Sequence, residues 1–289
     1  LKDSKLSSKS ISQSKNMFAL GIVYWMFNRP MTPTENFINK KFSEKSEIAK
    51  ANIKVLHTGY NFANTIESFS SSYTVKSANL EKGRYRNVMG NQAIAWGFIA
   101  ASEKSGKELF LGSYPITPAS DILHELAKYK NLGVKTFQAE DEIAGICSAI
   151  GASFSGNLGI TTTSGPGFAL KGEALGLAIM TELPLVVVDV QRGGPSTGLP
   201  TKTEQSDLMQ ALYGRNGESP AVVIACSTPS NCFDWSFMAS KITLEYNTPV
   251  VLLSDGYLGN GSEPWKIKTV KDMPDITPLI AKEGENYQP

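Results

Sequence analysis

Leu185-Val186-Val187-Val188-Asp189-Val190 runs directly into Gln191-Arg192-Gly193-Gly194-Pro195-Ser196-Thr197-Gly198. The first stretch is an almost continuous run of apolar, β-branched residues, as expected of a strand buried on both faces. The second is a Gly/Pro loop leaving its carboxyl end. The same texture recurs on both sides. Further β-type runs occupy 109–112, 134–137, 159–163, 221–225 and 250–253, and helical stretches lie at 119–129, 141–154, 169–180, 204–213 and 230–246. Strand–helix alternation of this kind predicts an α/β fold, a doubly wound and mostly parallel sheet covered by helices on both sides. In such sheets ligands bind beyond the carboxyl ends of the strands, so the loops after the strands are the place to look for chemistry.

Upstream of residue 87 the pattern is different. Residues 1–14 are Ser/Lys-rich and read as disordered. Met17, Phe18, Leu20, Tyr24, Trp25 and Phe27 make one apolar helical face ending before Pro30, and Ile48, Ala49, Ile53, Val55 and Leu56 make a second. A polar Ser/Thr-rich stretch follows. The expected organisation is a helical segment at 1–64, a linker at 65–86, the main domain at 87–270 and a tail at 271–289. The chain opens on Leu1, as a piece of something longer would.

The 289 residues are 41% apolar and 19% charged, enough for one large α/β core and a smaller appendage. A net charge of +1 excludes general electrostatic attraction to nucleic acid or anionic membrane. The apolar stretch at 17–27 is far shorter than the roughly 20 residues a membrane crossing takes. Cys147, Cys226 and Cys232 form no CxxC pair, which leaves no disulfide framework or cluster ligand set and suits a reducing, cytoplasmic setting.

Four loops carry unusual residues. After the first strong strand comes Ser113-Tyr114-Pro115-Ile116-Thr117-Pro118, where two prolines stiffen the chain around Thr117; the plain reading is that Thr117 caps the next helix. The second strand ends in Gln138-Ala139-Glu140-Asp141-Glu142, before a helix of small residues. Asp141 and Glu142 suit a first helical turn. Glu140 sits at the junction itself, where burial would raise its pKa and let it hold a proton near neutrality. The third gives Thr163-Ser164-Gly165-Pro166-Gly167, whose glycines permit close backbone approach to a ligand. It is no phosphate loop, because Glu173 stands where a P-loop needs lysine. The fourth offers Arg192, suited to bidentate carboxylate binding. Gly194-Pro195-Ser196-Thr197-Gly198 also matches a hydrolase elbow, but that class needs a later histidine, and His57 and His124 both precede Ser196.

Taken together and in order, Tyr114-Pro115-Ile116-Thr117-Pro118, Gln138-Ala139-Glu140-Asp141-Glu142, Thr163-Ser164-Gly165-Pro166-Gly167 and Gln191-Arg192-Gly193-Gly194-Pro195-Ser196-Thr197-Gly198 resemble the α subunit of 2-oxoacid:ferredoxin oxidoreductases. The resemblance runs from about Gly90 to Pro264, and residues 15–63 look like the tail of the γ domain fused ahead of the α domain in one branch of that family. It implies the pyrimidine-binding fold and half of a thiamine diphosphate site. Glu140 then matches the carboxyl on N1′ of the aminopyrimidine, Thr117 and Thr201 the threonines near the 2-oxoacid, and Arg192 the arginine on its carboxylate. Ser164, Gly165, Pro166 and Gly167 would lie against the pyrimidine. Ser254-Asp255-Gly256 lacks the first glycine of the Gly-Asp-Gly motif that holds diphosphate and Mg²⁺. The resemblance therefore assigns no metal to this chain, and places Mg²⁺ and the iron–sulfur cluster on a β subunit that passes electrons to ferredoxin while coenzyme A takes the acyl group.

The Arg-Gly-Gly-Pro-Ser-Thr-Gly-Leu-Pro-Thr stretch at 192–201 looks most like the 2-oxoglutarate group, with Lys202 and Arg215 as candidates for the distal carboxylate. A pyruvate-type or broad 2-oxoacid specificity, or a non-catalytic assembly module, are the competing readings.

Overall fold

The computed structural model describes residues 6–66 and 71–278, and the chain falls into two compact units, Leu1–Glu81 and Lys82–Pro289. The first unit holds α1 (Ser8–Met26), α2 (Thr32–Lys41) and α3 (Ser46–Ile66). Glycines let α1 and α3 touch backbone to backbone: a Cβ on Gly21 would lie 2.1 Å from the Leu56 carbonyl oxygen, and one on Gly59 2.0 Å from that of Phe18. Ile38, Ala49, Leu56 and Ala63 are buried there. The helix begins at Ser8, capped by Ser7, where disorder was expected; a cap and an apolar face onto α3 outweigh the polar composition. Residues 1–5 of that expectation lie outside the described residues, as do 67–70 of the expected linker and 279–289 of the expected tail.

In the second unit β1 (Tyr85–Met89) leads into α4 (Gly90–Ser105), β2 (Leu109–Ser113), α5 (Ser120–Leu126), β3 (Lys135–Gln138), α6 (Glu142–Phe154) and β4 (Leu158–Thr163). Then follow α7 (Gly165–Leu170), α8 (Gly172–Met180), β5 (Leu185–Gln191), α9 (Leu208–Tyr213), β6 (Val222–Ala225), α10 (Asn231–Tyr246), β7 (Pro249–Asp255), α11 (Gly256–Asn260) and β8 (Ser262–Lys266). Six strands form a wholly parallel sheet in the order β3-β2-β4-β5-β7-β6, and β1 pairs antiparallel with β8 in a separate ribbon. All six strands of the main sheet fall where the apolar runs place them.

The four inner strands β2, β4, β5 and β7 are buried on both faces, which is why they carry no polar alternation, while the edge strand β3 is largely exposed. Val186, Val188 and Val190 enter one core with Phe98, Ile122 and Phe237 of α4, α5 and α10. Leu185 and Val187 enter the other with Ile146, Phe168 and Leu175 of α6, α7 and α8. The chain leaves β2 for the α5 face but leaves β4 for the α7/α8 face. Neighbouring strands whose connections depart to opposite sides open a crevice at the carboxyl edge, the place where doubly wound sheets bind ligands. Among the described residues no helix is long and apolar enough to cross a membrane.

Candidate active site

Because the strands run parallel, the loops after β2, β3, β4 and β5 emerge at one edge. The loop after β2 is fastened from two sides. Ser113 Oγ donates to the Thr162 carbonyl on β4 at 2.8 Å, and Asn91 Nδ2 on α4 donates to the Pro118 carbonyl at 2.9 Å. Thr117 is exposed and does not cap α5, whose N-cap is Ala119 without a side-chain bond. Its carbonyl accepts from Arg192 Nη1 at 2.6 Å. Arg192, at the end of β5, also donates from Nη2 to the Thr197 carbonyl at 2.7 Å. The guanidinium is buried, and its Nε–H has no acceptor among the described residues. Two residues assigned to the substrate thus meet at the crevice, through the backbone of one of them.

At the end of β3, the Ala139 N–H donates to the Ser113 carbonyl at 2.9 Å, which locks this loop to the one after β2. Glu140 follows and is exposed, so the burial anticipated for it does not arise among the described residues. Asp141 caps α6 by accepting from the Ala144 N–H at 2.7 Å. Glu142 is buried, and its carbonyl accepts from Lys171 Nζ at 2.7 Å, while the Thr161 hydroxyl takes a second bond at 3.1 Å. Burial pushes the Lys171 ammonium down to about 8, against the opposing pull of the Glu142 carboxylate.

At the end of β4, Ser164 is fully buried and its hydroxyl has no partner among the described residues. Gly165 and Gly167 cannot carry a side chain as the loop is packed. A Cβ on Gly165 would meet Asp207 Oδ2 at 2.8 Å, and one on Gly167 would meet Thr163 Oγ1 at 2.2 Å.

The loop after β5 turns back on itself: the Gly193 N–H donates to the Lys202 carbonyl at 2.8 Å and the Leu199 N–H to the Gly193 carbonyl at 2.8 Å. Ser196 and Gly198 take the tight turn with φ of 58° and 51°. Ser196 is therefore an exposed turn residue rather than a strand-to-helix nucleophile. Thr201 and Lys202 are exposed on the same hairpin. Arg215 is engaged elsewhere. Its guanidinium donates to the carbonyls of Ala211, Leu212 and Ser219, which fastens the turn after α9 and leaves it a structural clamp. Asp255 caps α11 through the N–H groups of Tyr257 and Leu258 and accepts from Gln205 Nε2 at 2.6 Å.

Sequence reasoning passed over four side chains that shape this edge: Asn91, Lys171, Gln191 and Asp207. Gln191 bridges two loops, donating to the Ser254 carbonyl at 3.1 Å and accepting from the Asp207 N–H at 3.0 Å. Only the polar Asp189 inside an apolar strand was a visible signal of the buried network.

The chain is 57% identical, over 98% of its length, to the 2-oxoglutarate oxidoreductase subunit KorA of Mycobacterium tuberculosis, and covers 43% of that protein. It is 45% identical over 65% of its length to the 2-oxoglutarate synthase subunit KorA of Methanothermobacter marburgensis, covering 48% of it. Among solved structures, the 2-oxoglutarate:ferredoxin oxidoreductase from Magnetococcus marinus, with 2-oxoglutarate, coenzyme A and succinyl-CoA bound, superposes with a TM-score of 0.83 at 35% identity. That superposition covers 97% of this chain and 48% of the other. The chain thus spans about half the length of the relatives it matches. The family model for pyruvate flavodoxin/ferredoxin oxidoreductase, thiamine diP-bdg, matches residues 103–289. With this domain carrying the loops after β2, β3, β4 and β5, the chain belongs to the pyruvate flavodoxin/ferredoxin oxidoreductase family, in its thiamine diphosphate-binding domain.

Proposed function

We propose that this chain is the α-subunit portion of a 2-oxoglutarate:ferredoxin oxidoreductase, forming succinyl-CoA, and that it supplies the pyrimidine-side half of a shared thiamine diphosphate site. The observation that carries the reading is the 57% identity, spread over 98% of the chain, to a subunit named for 2-oxoglutarate. The residues at the edge suit the cofactor's aminopyrimidine: an exposed carboxylate at Glu140, an unpartnered buried hydroxyl at Ser164 and, beside it, a tightly packed Gly165-Pro166-Gly167 turn. Bound thiamine diphosphate supplies a nucleophilic carbon and an electron sink for decarboxylation.

On this reading Glu140 holds a proton at N1′ of the pyrimidine, and Ser164, Gly165, Pro166 and Gly167 form the wall against that ring. Thr117 and Thr201 present hydroxyls to the 2-oxoacid. Arg192, paired with no carboxylate among the described residues, faces the substrate carboxylate and fixes Thr117 at the same time. Lys202 remains the exposed candidate for the distal carboxylate. A β subunit would complete the site with Mg²⁺, the diphosphate anchor and the iron–sulfur cluster, serving ferredoxin and coenzyme A in the cytoplasm. The helical unit at 1–64 would be the tail of a fused γ domain, joined by the 65–86 linker to the 87–270 domain and its 271–289 tail.

The outer face of α6 supports such a partner. Ile143, Cys147, Gly151 and Phe154 recur at helical spacing and are exposed or partly so, starting three residues after Glu140.

The test is co-expression of the full-length chain with its β subunit, assayed with coenzyme A and a viologen acceptor. Turnover of 2-oxoglutarate is expected to exceed that of pyruvate by about tenfold or more in kcat/KM. Glu140→Ala is expected to lower kcat by about 10²- to 10⁴-fold. A preference for pyruvate would overturn the substrate, and an unaffected Glu140→Ala complex would make the chain an assembly module.

A further inference from the structure

In the segment 185–190 of β5 every residue is apolar except Asp189, which is fully buried. Its neighbours across the sheet are Thr163 on β4 and Leu253 on β7. Neither carboxyl oxygen finds an N–H or hydroxyl donor among the described residues. An ionised carboxylate in that position, unpaired and out of water, would cost several kcal/mol. The group that does reach it is another acid. Asp207, at the far end of the loop that begins with Arg192, brings a second carboxyl to it, and the buried Oδ2 of Asp207 likewise has no hydrogen-bond partner among the described residues. The Asp207 carboxyl overhangs Gly165, with its oxygens 2.8 and 3.0 Å from where a Cβ would stand. Its N–H is fixed to Gln191 Oε1 at 3.0 Å.

We propose that Asp189 and Asp207 share a single proton, and that this carboxyl pair is the positioning device that pins the 192–207 loop onto the 164–165 turn. Since that loop carries Arg192 and Thr201 and that turn carries Ser164 and Gly165, the pair sets the distance between the substrate side and the cofactor side of the crevice. The proposal rests on the function argued above.

The electrostatics agree with the geometry. Burial first, and then the charge of Asp207, hold Asp189 well above the usual carboxylate range. Burial raises Asp207 as well, and Glu204 adds to it, while the bond from Asp189 draws it down. The proton therefore resides on Asp189 and points at Asp207. The surrounding elements offer Thr163 from β4, Leu253 from β7 and Gly165 from α7, and the charges acting on the pair, Asp207 and Glu204, are anionic. A carboxyl whose folded pKa is raised contributes stability that is lost as pH climbs through that folded value. Past that point two like charges face each other in a dry site and the loop lets go.

Asp189→Asn tests this in the full-length α/β complex, because an amide is isosteric and remains a donor to Asp207 at every pH. In the wild type, KM for 2-oxoglutarate is expected to rise about fivefold or more as pH climbs above the ordinary carboxylate range and the shared proton is lost, and the asparagine variant to flatten that rise to about twofold. Asp189→Ala is expected to raise KM at all pH values. A rise with pH that survives in Asp189→Asn, or a flat wild-type profile, would overturn the pair. Melting temperature against pH reads the same proton without turnover: as pH climbs above the ordinary carboxylate range the wild type should lose stability that Asp189→Asn keeps, and superimposable curves would sink the proposal. A complex inactive on 2-oxoglutarate would count against the functional reading, and the melting curves would still decide the pair. If Asp189→Asn fails to fold, Asp207→Asn, which also removes the like-charge repulsion, is expected to flatten the same curves.

Discussion

Arg192 holds the backbone carbonyls of Thr117 and Thr197 with its two terminal nitrogens and keeps Nε unmatched. A guanidinium has five donors, so two carbonyls leave capacity for a carboxylate arriving at the crevice. Lysine cannot copy this, since a point charge on a flexible stem does not span two carbonyls in a fixed fork. Arg192→Lys is therefore expected to raise KM for the 2-oxoacid by about 10- to 100-fold, the worth of one charge-assisted hydrogen bond, with a smaller change in kcat. Steady-state kinetics on the reconstituted complex provide the check, and a wild-type KM would take Arg192 out of the site. Thr117, Glu140 and Arg192 stood out as candidates in the sequence because each follows a strand, inside a short motif. Asp207 did not. It lies in a stretch without period between β5 and α9, and only tertiary contact shows that it faces the one acid in an apolar strand.

Lys171 shows how an element is held in place by a residue outside the site. It lies between α7 and α8, and its ammonium reaches the first-turn carbonyl of α6, two residues beyond Glu140. The folded state lowers its pKa from 10.5 to about 8, so the folded chain binds fewer protons than the unfolded one between those values. Stability tied to Lys171 is thus complete above about 10.5 and lost as pH falls through about 8, the opposite sense to Asp189. Lys171→Met removes this dependence. Denaturation curves of the two proteins over that window should diverge by on the order of 3 kcal/mol, and parallel curves would show that Lys171 is not desolvated. At this scale the sheet was easy to read, since strands buried on both faces are continuous apolar runs bounded by Gly and Pro. The unread elements lack that contrast. α4 is rich in Ala and Gly and buried on several sides, with Gly97 so close to α10 that a Cβ would sit 2.4 Å from the Phe233 carbonyl. A helix enclosed in this way shows no single apolar stripe. β1 buries only Val88 and pairs with β8, Tyr85 opposite Lys266 and Met89 opposite Ser262, a partnership no local window contains.

For the molecule as a whole, a net charge of +1 gives little long-range steering, so a stable association would depend on apolar contact rather than on opposed fields. The candidate surface for that contact runs from beside Glu140 along α6 to Phe154, which is 81% exposed, and α8, packed against α6, adds Met180, also 81% exposed. Large apolar side chains this open are a cost to an isolated chain and an asset to one that completes its site with a partner. Two outcomes follow from the same picture. Assembly of the α/β complex should change little between low and high salt, where a charge-driven interface would weaken steeply. Phe154→Asp should leave the chain's own stability within about 0.5 kcal/mol, as substitutions of exposed side chains do, yet weaken assembly by about tenfold or more in Kd. Sedimentation of the mixed subunits at two salt concentrations, alongside thermal melts of the variant, separates these effects. Unimpaired assembly of Phe154→Asp would place the partner on another face. A salt-sensitive wild-type complex would mean that local charge outweighs the apolar surface, and that the near-neutral total hides a polarised interface.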